Sequence, residues 1–404
     1  MKCKRYELVV LGGGFAGVAA AVQAARDGLA VALVERTTLW GGLGTSGLVT
    51  AYLPLDDGQG RQVTFGLAEE LLYRSMRYGP GTVPAQWLNR AHAEGIGEPV
   101  GDSRSGRYMT HFAPHACVMA MDEVLEESGC ALWLDTLACL PVVEGGRLEA
   151  VEVENKSGRI RLEAAFFIDA TGDADIAARA GAPCRENRHR PSMIALCPSV
   201  ETVRAAAEAE DLSNLRVWQS FGDNEHNQGY QGPCEPLFGG DGGDLSKFVM
   251  ESRRLARQTI AARQQERGPR GRKQYYPLLT PSLPDFRMTR SIEGLEMVEE
   301  SMKNRRVESS VGMVADNRVR GAVWEVPYGS LVPQGLENLY AAGRCSGATG
   351  YAWQVTRLIQ GVAMTGQVAG AAAALCLQKQ TTAPRLDVAD LQAKLKALGF
   401  ELHI

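Results

Sequence analysis

Gly12-Gly13-Gly14-Phe15-Ala16-Gly17 satisfies the pattern G-x-G-x-x-G, which is weak evidence when it stands alone. Its surroundings make it informative. The apolar run Glu7-Leu8-Val9-Val10-Leu11 reads as a short buried strand leading into the glycines. An Ala-rich helix over about 15–27 follows, and Gly28 is placed to stop it. Residues 30–34 (Ala-Val-Ala-Leu-Val) give a second buried strand that ends at Glu35, 21 residues after Gly14. These elements make one βαβ unit of the dinucleotide-binding type. In such a unit Gly12 permits the tight turn, Gly14 lets the backbone approach a pyrophosphate, and Gly17 lets helix and strand pack closely. The pyrophosphate meets the free N–H groups at the helix N-terminus. The Glu35 carboxylate accepts hydrogen bonds from ribose hydroxyls and disfavours a 2′-phosphate. The pattern does not choose between NAD and FAD.

Farther along, residues 67–78 read as a helix and 79–106 as a polar loop. A helix over 114–128 opens on Pro114, which suits a first helical turn. Strands over 131–143, 147–154 and 159–168, joined by Gly-containing turns, suggest a small β-meander. Residues 185–325 are richer in Arg and include a basic helix near 245–267. Residues 336–377 revert to strand, Gly-rich turn and Ala/Gly helix.

With 404 residues, 22% of them charged and a formal net charge of -4, the chain has ordinary globular composition and room for two or three domains. Neither nucleic-acid binding nor a basic membrane-surface tract is expected. Nine cysteines, an odd number without a CxxC pair, fit reduced thiols in the cytoplasm rather than a metal cluster or dithiol centre. The first strand begins so close to Met1 that no secretory signal is expected. Val362–Leu377 is apolar, but it is short for a membrane span, built from Gly and Ala, and contains Gln367. It is expected to be a buried helix, without membrane insertion.

Five further stretches carry a resemblance. Phe167-Ile168-Asp169-Ala170-Thr171-Gly172-Asp173 resembles the second FAD motif of glutathione-reductase-type flavoproteins. Asn338-Leu339-Tyr340-Ala341-Ala342-Gly343-Arg344 resembles their third, and Trp40-Gly41-Gly42-Leu43-Gly44-Thr45-Ser46-Gly47 the stretch that passes pyrophosphate and flavin ring. Pro284-Asp285-Phe286-Arg287-Met288-Thr289-Arg290 and Trp324–Pro333 are similar to stretches of the FAD-dependent oxidoreductase family related to fumarate reductase flavoprotein subunits. The resemblance covers about 5–185 and 280–377; Ser291 stands where relatives often carry another Arg. It implies an α/β fold. A Rossmann-type, three-layer FAD-binding domain like that of glutathione reductase would comprise 1–66, 107–184 and 326–380. Residues 67–106 would be a small insertion, 185–325 a discontinuous α+β substrate domain, and 381–404 a C-terminal tail.

The resemblance also implies FAD contacts. They would come from Gly12, Gly14, Phe15, Ala16, Gly17, Glu35 and Arg36, then Gly42, Thr45, Ser46 and Ala138. Ala170, Thr171, Gly172, Gly343, Arg344, Leu358, Ile359 and Gln360 complete the set. Residues 41–47 offer no His for a covalent link, so non-covalent FAD is expected. A single dinucleotide fingerprint leaves NAD(P)H without its own Rossmann domain, so the electron donor or acceptor stays unidentified. The expected reaction moves a hydride between a small polar organic substrate and flavin N5. An O2-using oxidase or monooxygenase and an electron-relay FAD-binding subunit stay open as alternatives.

Four residues are candidates for substrate chemistry. Arg287 and Arg290 present planar cationic forks suited to a carboxylate or oxyanion, or to a domain-linking salt bridge. His111 lies in His111-Phe112-Ala113-Pro114-His115; Pro114 works against one helix through both His, so no metal pair is expected. Proton transfer or structural duty remains for it, and Tyr52 reads as a proton donor or a packed loop Tyr. Arg185, Arg188, His189 and Arg190 read as a solvated face.

Overall fold

The computed structural model describes residues 2–81, 107–215, 217–224, 229–230 and 232–404. Its central sheet has seven strands. They are β1 (Lys2–Leu11), β2 (Val31–Val34), β3 (Ala131–Trp133), β4 (Leu137–Glu144), β5 (Arg147–Asn155), β6 (Gly158–Asp169) and β7 (Leu339–Ala341). Across the sheet they run β3-β2-β1-β6-β5-β4, with β7 also on β6. Leu8, Val9, Val10 and Leu11 are all fully buried, which an unbroken apolar run allows when both faces of a parallel sheet are covered.

β6 decides where the site lies. Along one edge it runs parallel to β1, with Asp169 opposite Leu11. Along the other it pairs first antiparallel to β5 and then, at its end, parallel to β7, with Asp169 opposite Ala341. Val34 at the end of β2 is also level with Leu11. Four parallel strands therefore end side by side, and their outgoing loops share one crevice, where open α/β sheets bind ligands. The expected meander exists, but its last strand is the middle of the sheet. The single strand expected over 131–143 is two strands, broken at Asp135, whose φ of 48° is left-handed.

The labelled helices are α1 (Phe15–Arg26), α2 (Leu67–Arg74), α3 (Pro114–Ser128), α4 (Gly242–Glu266) and α5 (Ile359–Lys379). α5 crosses α1 backbone to backbone. A Cβ on Gly366 would stand 2.1 Å from the Ala16 carbonyl oxygen, and one on Gly370 2.4 Å from that of Ala20. This explains the Gly/Ala composition of α5. By length and apolarity α5 passes as a membrane span, yet 89% of its apolar window is buried inside the protein. Its polar interruption is used: Gln367 accepts the Leu67 N–H at 2.6 Å and donates to Gln23 at 2.8 Å. Leu67, Leu71 and Leu72 of α2 join the same core, as do Leu391, Leu395 and Leu402 near the C-terminus. The 82–106 part of the expected insertion lies outside the described residues.

The Arg-rich segment contributes an antiparallel pair, Ser192–Leu196 with Trp218–Gly222. Residues from α4 and Tyr275 pack against this pair. A second pair, Cys184–Glu186 with Arg290–Ile292, leads the chain back toward the sheet. All nine cysteines are unpaired.

Candidate active site

The loops that leave the parallel strands enclose a cavity of about 620 Å³. That lies within the usual range of roughly 300–1,000 Å³ for cofactor and small-molecule sites. At one end are Val34, Glu35, Arg36, Thr136 and Ala138; in the middle are Gly12, Gly14, Phe15, Ala16 and Ala170–Asp173. Gly41–Gly44, Leu358 and Ile359 follow, and the far end holds Trp218, Asp223, Leu283–Arg287, Arg318 and Arg357.

The three glycines of the fingerprint do different jobs. Gly12 has φ +106°, and a Cβ there would stand 2.4 Å from the Ala170 carbonyl oxygen. At Gly17 a Cβ would lie 1.7 Å from the Gly12 oxygen, and Gly17 does not line the cavity. These two glycines serve packing. Around Gly14 an added Cβ meets nothing within 4 Å, so the open space there belongs to the cavity. Glu35 braces this loop: one oxygen accepts the Gly13 N–H at 2.8 Å, and the other accepts the N–H and hydroxyl of Thr37. Asp169 plays the same part under the Ala170-Thr171-Gly172 turn. It accepts from Thr171 through one oxygen and from the Ile176 and Ala177 N–H groups through the other.

Two helix N-termini face the cavity, that of α1 through Gly14–Ala16 and that of α5 through Leu358 and Ile359. Both present backbone N–H groups and partial positive charge. Beside the second, the Ser46 hydroxyl and both ends of the Gln360 amide are buried without a hydrogen-bond partner among the described residues. Open space at Gly14 and two helix N-termini on one cavity, with the orphaned polar groups of Ser46 and Gln360 just behind its wall, fit a dinucleotide such as FAD.

Of the other expected cofactor contacts, Arg36, Gly42, Ala138, Thr171, Gly172 and Arg344 line the cavity. Thr45, Ser46, Gly343 and Gln360 stand just behind the lining. Thr45 donates its hydroxyl to the Trp40 carbonyl, and the Gly343 N–H donates to Thr365 at 3.0 Å.

The substrate candidates separate. Arg287 lines the far end, with one long contact, 3.4 Å, to the Asp223 carbonyl. Arg290 lies outside the lining. It pairs with Asp175 at 3.2 Å, donates to the Asp173 and Gly240 carbonyls, and lies over the Phe238 ring. Tyr52 is fully buried, donates its hydroxyl to the Ala68 carbonyl, and is not in the lining. Burial raises its pKa well above the ordinary phenol value. His111 is exposed, with its ring edge-on to Trp218, a wall residue.

Sequence reasoning passed over two residues of the far wall. Arg357, mostly buried, is pulled down to about 10 by that burial, with the Arg287 and Arg344 guanidiniums adding to the shift and Asp285 opposing it. It remains a cation at neutral pH. Asp285 is buried at 6% exposure, and burial raises its pKa against the pull of Arg287, Arg357 and Arg344. Asp285 sits inside the quoted stretch Pro284–Arg290 and Arg357 just before Leu358; their sharing of one wall is a tertiary event. His189, expected on a solvated face, is instead buried and accepts the Met288 N–H at 3.2 Å. Burial first, then Arg287, Arg357 and Arg344, push its pKa down to about 4, so it is neutral at pH 7.

Comparison with solved structures aligns the chain with others at low identity. p-Nitrophenol 4-monooxygenase PnpA from Pseudomonas putida DLL-E4 aligns with 98% of this chain and 86% of its own at 12% identity, TM-score 0.48. Escherichia coli quinol fumarate reductase FrdA aligns with 99% of this chain and 74% of its own at 13% identity, TM-score 0.47. A geranylgeranyl bacteriochlorophyll reductase-like protein from Thermoplasma acidophilum aligns with 98% and 83% at 12% identity, TM-score 0.46. No curated protein matches the chain. The family model described as FAD dependent oxidoreductase matches residues 7–231 and 224–395, nearly the whole chain. The chain belongs to the FAD dependent oxidoreductase family.

Proposed function

We propose that this enzyme dehydrogenates or reduces a small polar organic molecule bound at the arginine-lined end of the cavity. The observation that carries this reading is a single cavity whose lining includes both the open space at Gly14 and the residues Arg287 and Arg357. Gly14–Ala16, Glu35, Gly42, Thr171 and Arg344 would hold FAD, which supplies two-electron chemistry between a substrate carbon and flavin N5. The α5 N-terminus adds fixed positive potential at the neighbouring wall. Arg287 and Arg357 orient the polar substrate, while Trp218, Leu283 and Pro284 keep water from it.

Paired substitutions test this assignment. Arg287→Ala is expected to lower kcat/KM about thirtyfold, equivalent to about 2 kcal/mol, with flavin content and melting temperature intact. Arg290→Ala breaks a partly buried ion pair and is expected to cost about 1–3 kcal/mol of stability while most turnover remains. Thermal unfolding and steady-state kinetics on both variants decide it. Full turnover in Arg287→Ala would remove Arg287 from the substrate site.

A further inference from the structure

Most charged groups at the cavity wall have partners. Arg344 pairs with Asp173 at 2.7 Å, and Arg318 lies 3.7 Å from Asp316. Four groups at the far end do not fit this pattern, one of them Asp223, whose Oδ2 is buried without a partner among the described residues. Among the described residues Arg357 hydrogen-bonds only the neutral amide of Gln354, at 3.0 and 3.3 Å. Among the same residues Arg287 hydrogen-bonds only a backbone carbonyl, at 3.4 Å. The Asp285 side chain, although buried, accepts no hydrogen bond among the described residues. Asp285 lies within electrostatic reach of Arg287, Arg357 and Arg344 yet forms no hydrogen bond or close ion pair with any of them among the described residues, and a buried carboxylate without a donor is costly. The cost is retained where a ligand removes it.

We propose that this end of the cavity is a subsite for a short carboxylic acid bearing a hydroxyl or amino group on the adjacent carbon. Arg287 and Arg357 take the carboxylate, and Asp285 accepts the hydrogen bond of the neighbouring donor. The inference rests on the function proposed above and names its substrate class. A guanidinium fork matches a carboxylate, and the Asp285 carboxyl oxygens accept hydrogen bonds from a hydroxyl or amino group. A simple amine would leave two cations unmatched. A dicarboxylate would bring its second anion against Asp285. A neutral polar compound would satisfy neither guanidinium with charge.

The test uses the FAD-loaded protein, with butanoate, 2-hydroxybutanoate and 2-aminobutanoate as probes, by equilibrium dialysis and by Trp fluorescence. At least one of the two substituted acids is expected to bind about tenfold or more tightly than butanoate, because a hydrogen bond to a charged group discriminates on that scale. Asp285→Ala is expected to bring all three within about threefold of one another without weakening butanoate. Arg357→Gln is expected to weaken all three. Both variants should keep their FAD. Equal binding of the three acids by the wild-type protein, or no binding of any, overturns the proposal. So does retained discrimination in Asp285→Ala, or loss of FAD from that variant, which would assign Asp285 to the cofactor. If the acids fail to bind while an uncharged metabolite bleaches the flavin, the substrate class falls and the oxidoreductase reading stands. If no compound of any class bleaches it, that reading falls as well.

Discussion

Gly14→Val is expected to leave a folded protein that purifies with less than about a tenth of its FAD. The backbone at Gly14 has φ -67° and ψ 179°, a conformation open to any residue, so valine brings no backbone strain. A Cβ there meets no protein atom within 4 Å. The new side chain therefore fills cavity space, at the N–H groups where a pyrophosphate would sit. The folding cost is that of a poorer helix cap, about 1 kcal/mol. Flavin absorbance per polypeptide and the melting temperature of flavin-free protein check both halves. A full complement of FAD in this variant would put the cradle elsewhere.

Gly366→Val makes the same chemical change with the opposite outcome. Its Cβ would stand 2.1 Å from the Ala16 oxygen, far inside contact distance, and both partners are helix backbone. Neither can yield locally, so α1 and α5 must separate and give up close packing on both sides of the crossing. Overpacking of this kind costs about 3 kcal/mol, and more where backbone is the obstacle. FAD is lost here too, because α1 carries the cradle, but it is lost with the fold. Circular dichroism melts are expected to show a large drop in melting temperature or an insoluble product. A variant with wild-type stability would contradict the crossing.

Local chemistry made the cradle legible. A tight turn, a close approach and a helix start each demand glycine at a fixed offset, so the packing at Gly12 and Gly17 and the open space at Gly14 agree with what the sequence led one to expect. The helices that begin at Phe15 and Pro114 were legible for similar reasons. β1 starts at Lys2 rather than Glu7, because residues 2–5 are held by backbone pairing to β6 while their side chains face solvent. Hydrophobic pattern cannot report such pairing. The role of β6 as the centre of the sheet was hidden for a related reason, since its neighbours β1 and β7 come from opposite ends of the chain.

The far end of the cavity was the least legible part. Arg287 and Arg290 look equivalent in Pro284–Arg290, but the chain is not helical there, and Arg290 opens a strand. One guanidinium turns to the cavity and the other to Asp175. Arg357 and Asp285 are 72 residues apart, and no local spacing announces that they share a wall. His189 was misread because three Arg residues surround it in sequence, whereas its own ring turns inward beneath Met288.

The most direct measurement is the visible absorbance of the flavin when the purified protein is mixed anaerobically with a panel of small polar metabolites. Bleaching by at least one of them, without NAD(P)H or oxygen and about thirtyfold slower at limiting substrate in Arg287→Ala, is the predicted result. A flavin that no organic compound bleaches, or that bleaches equally well without Arg287, would contradict the account.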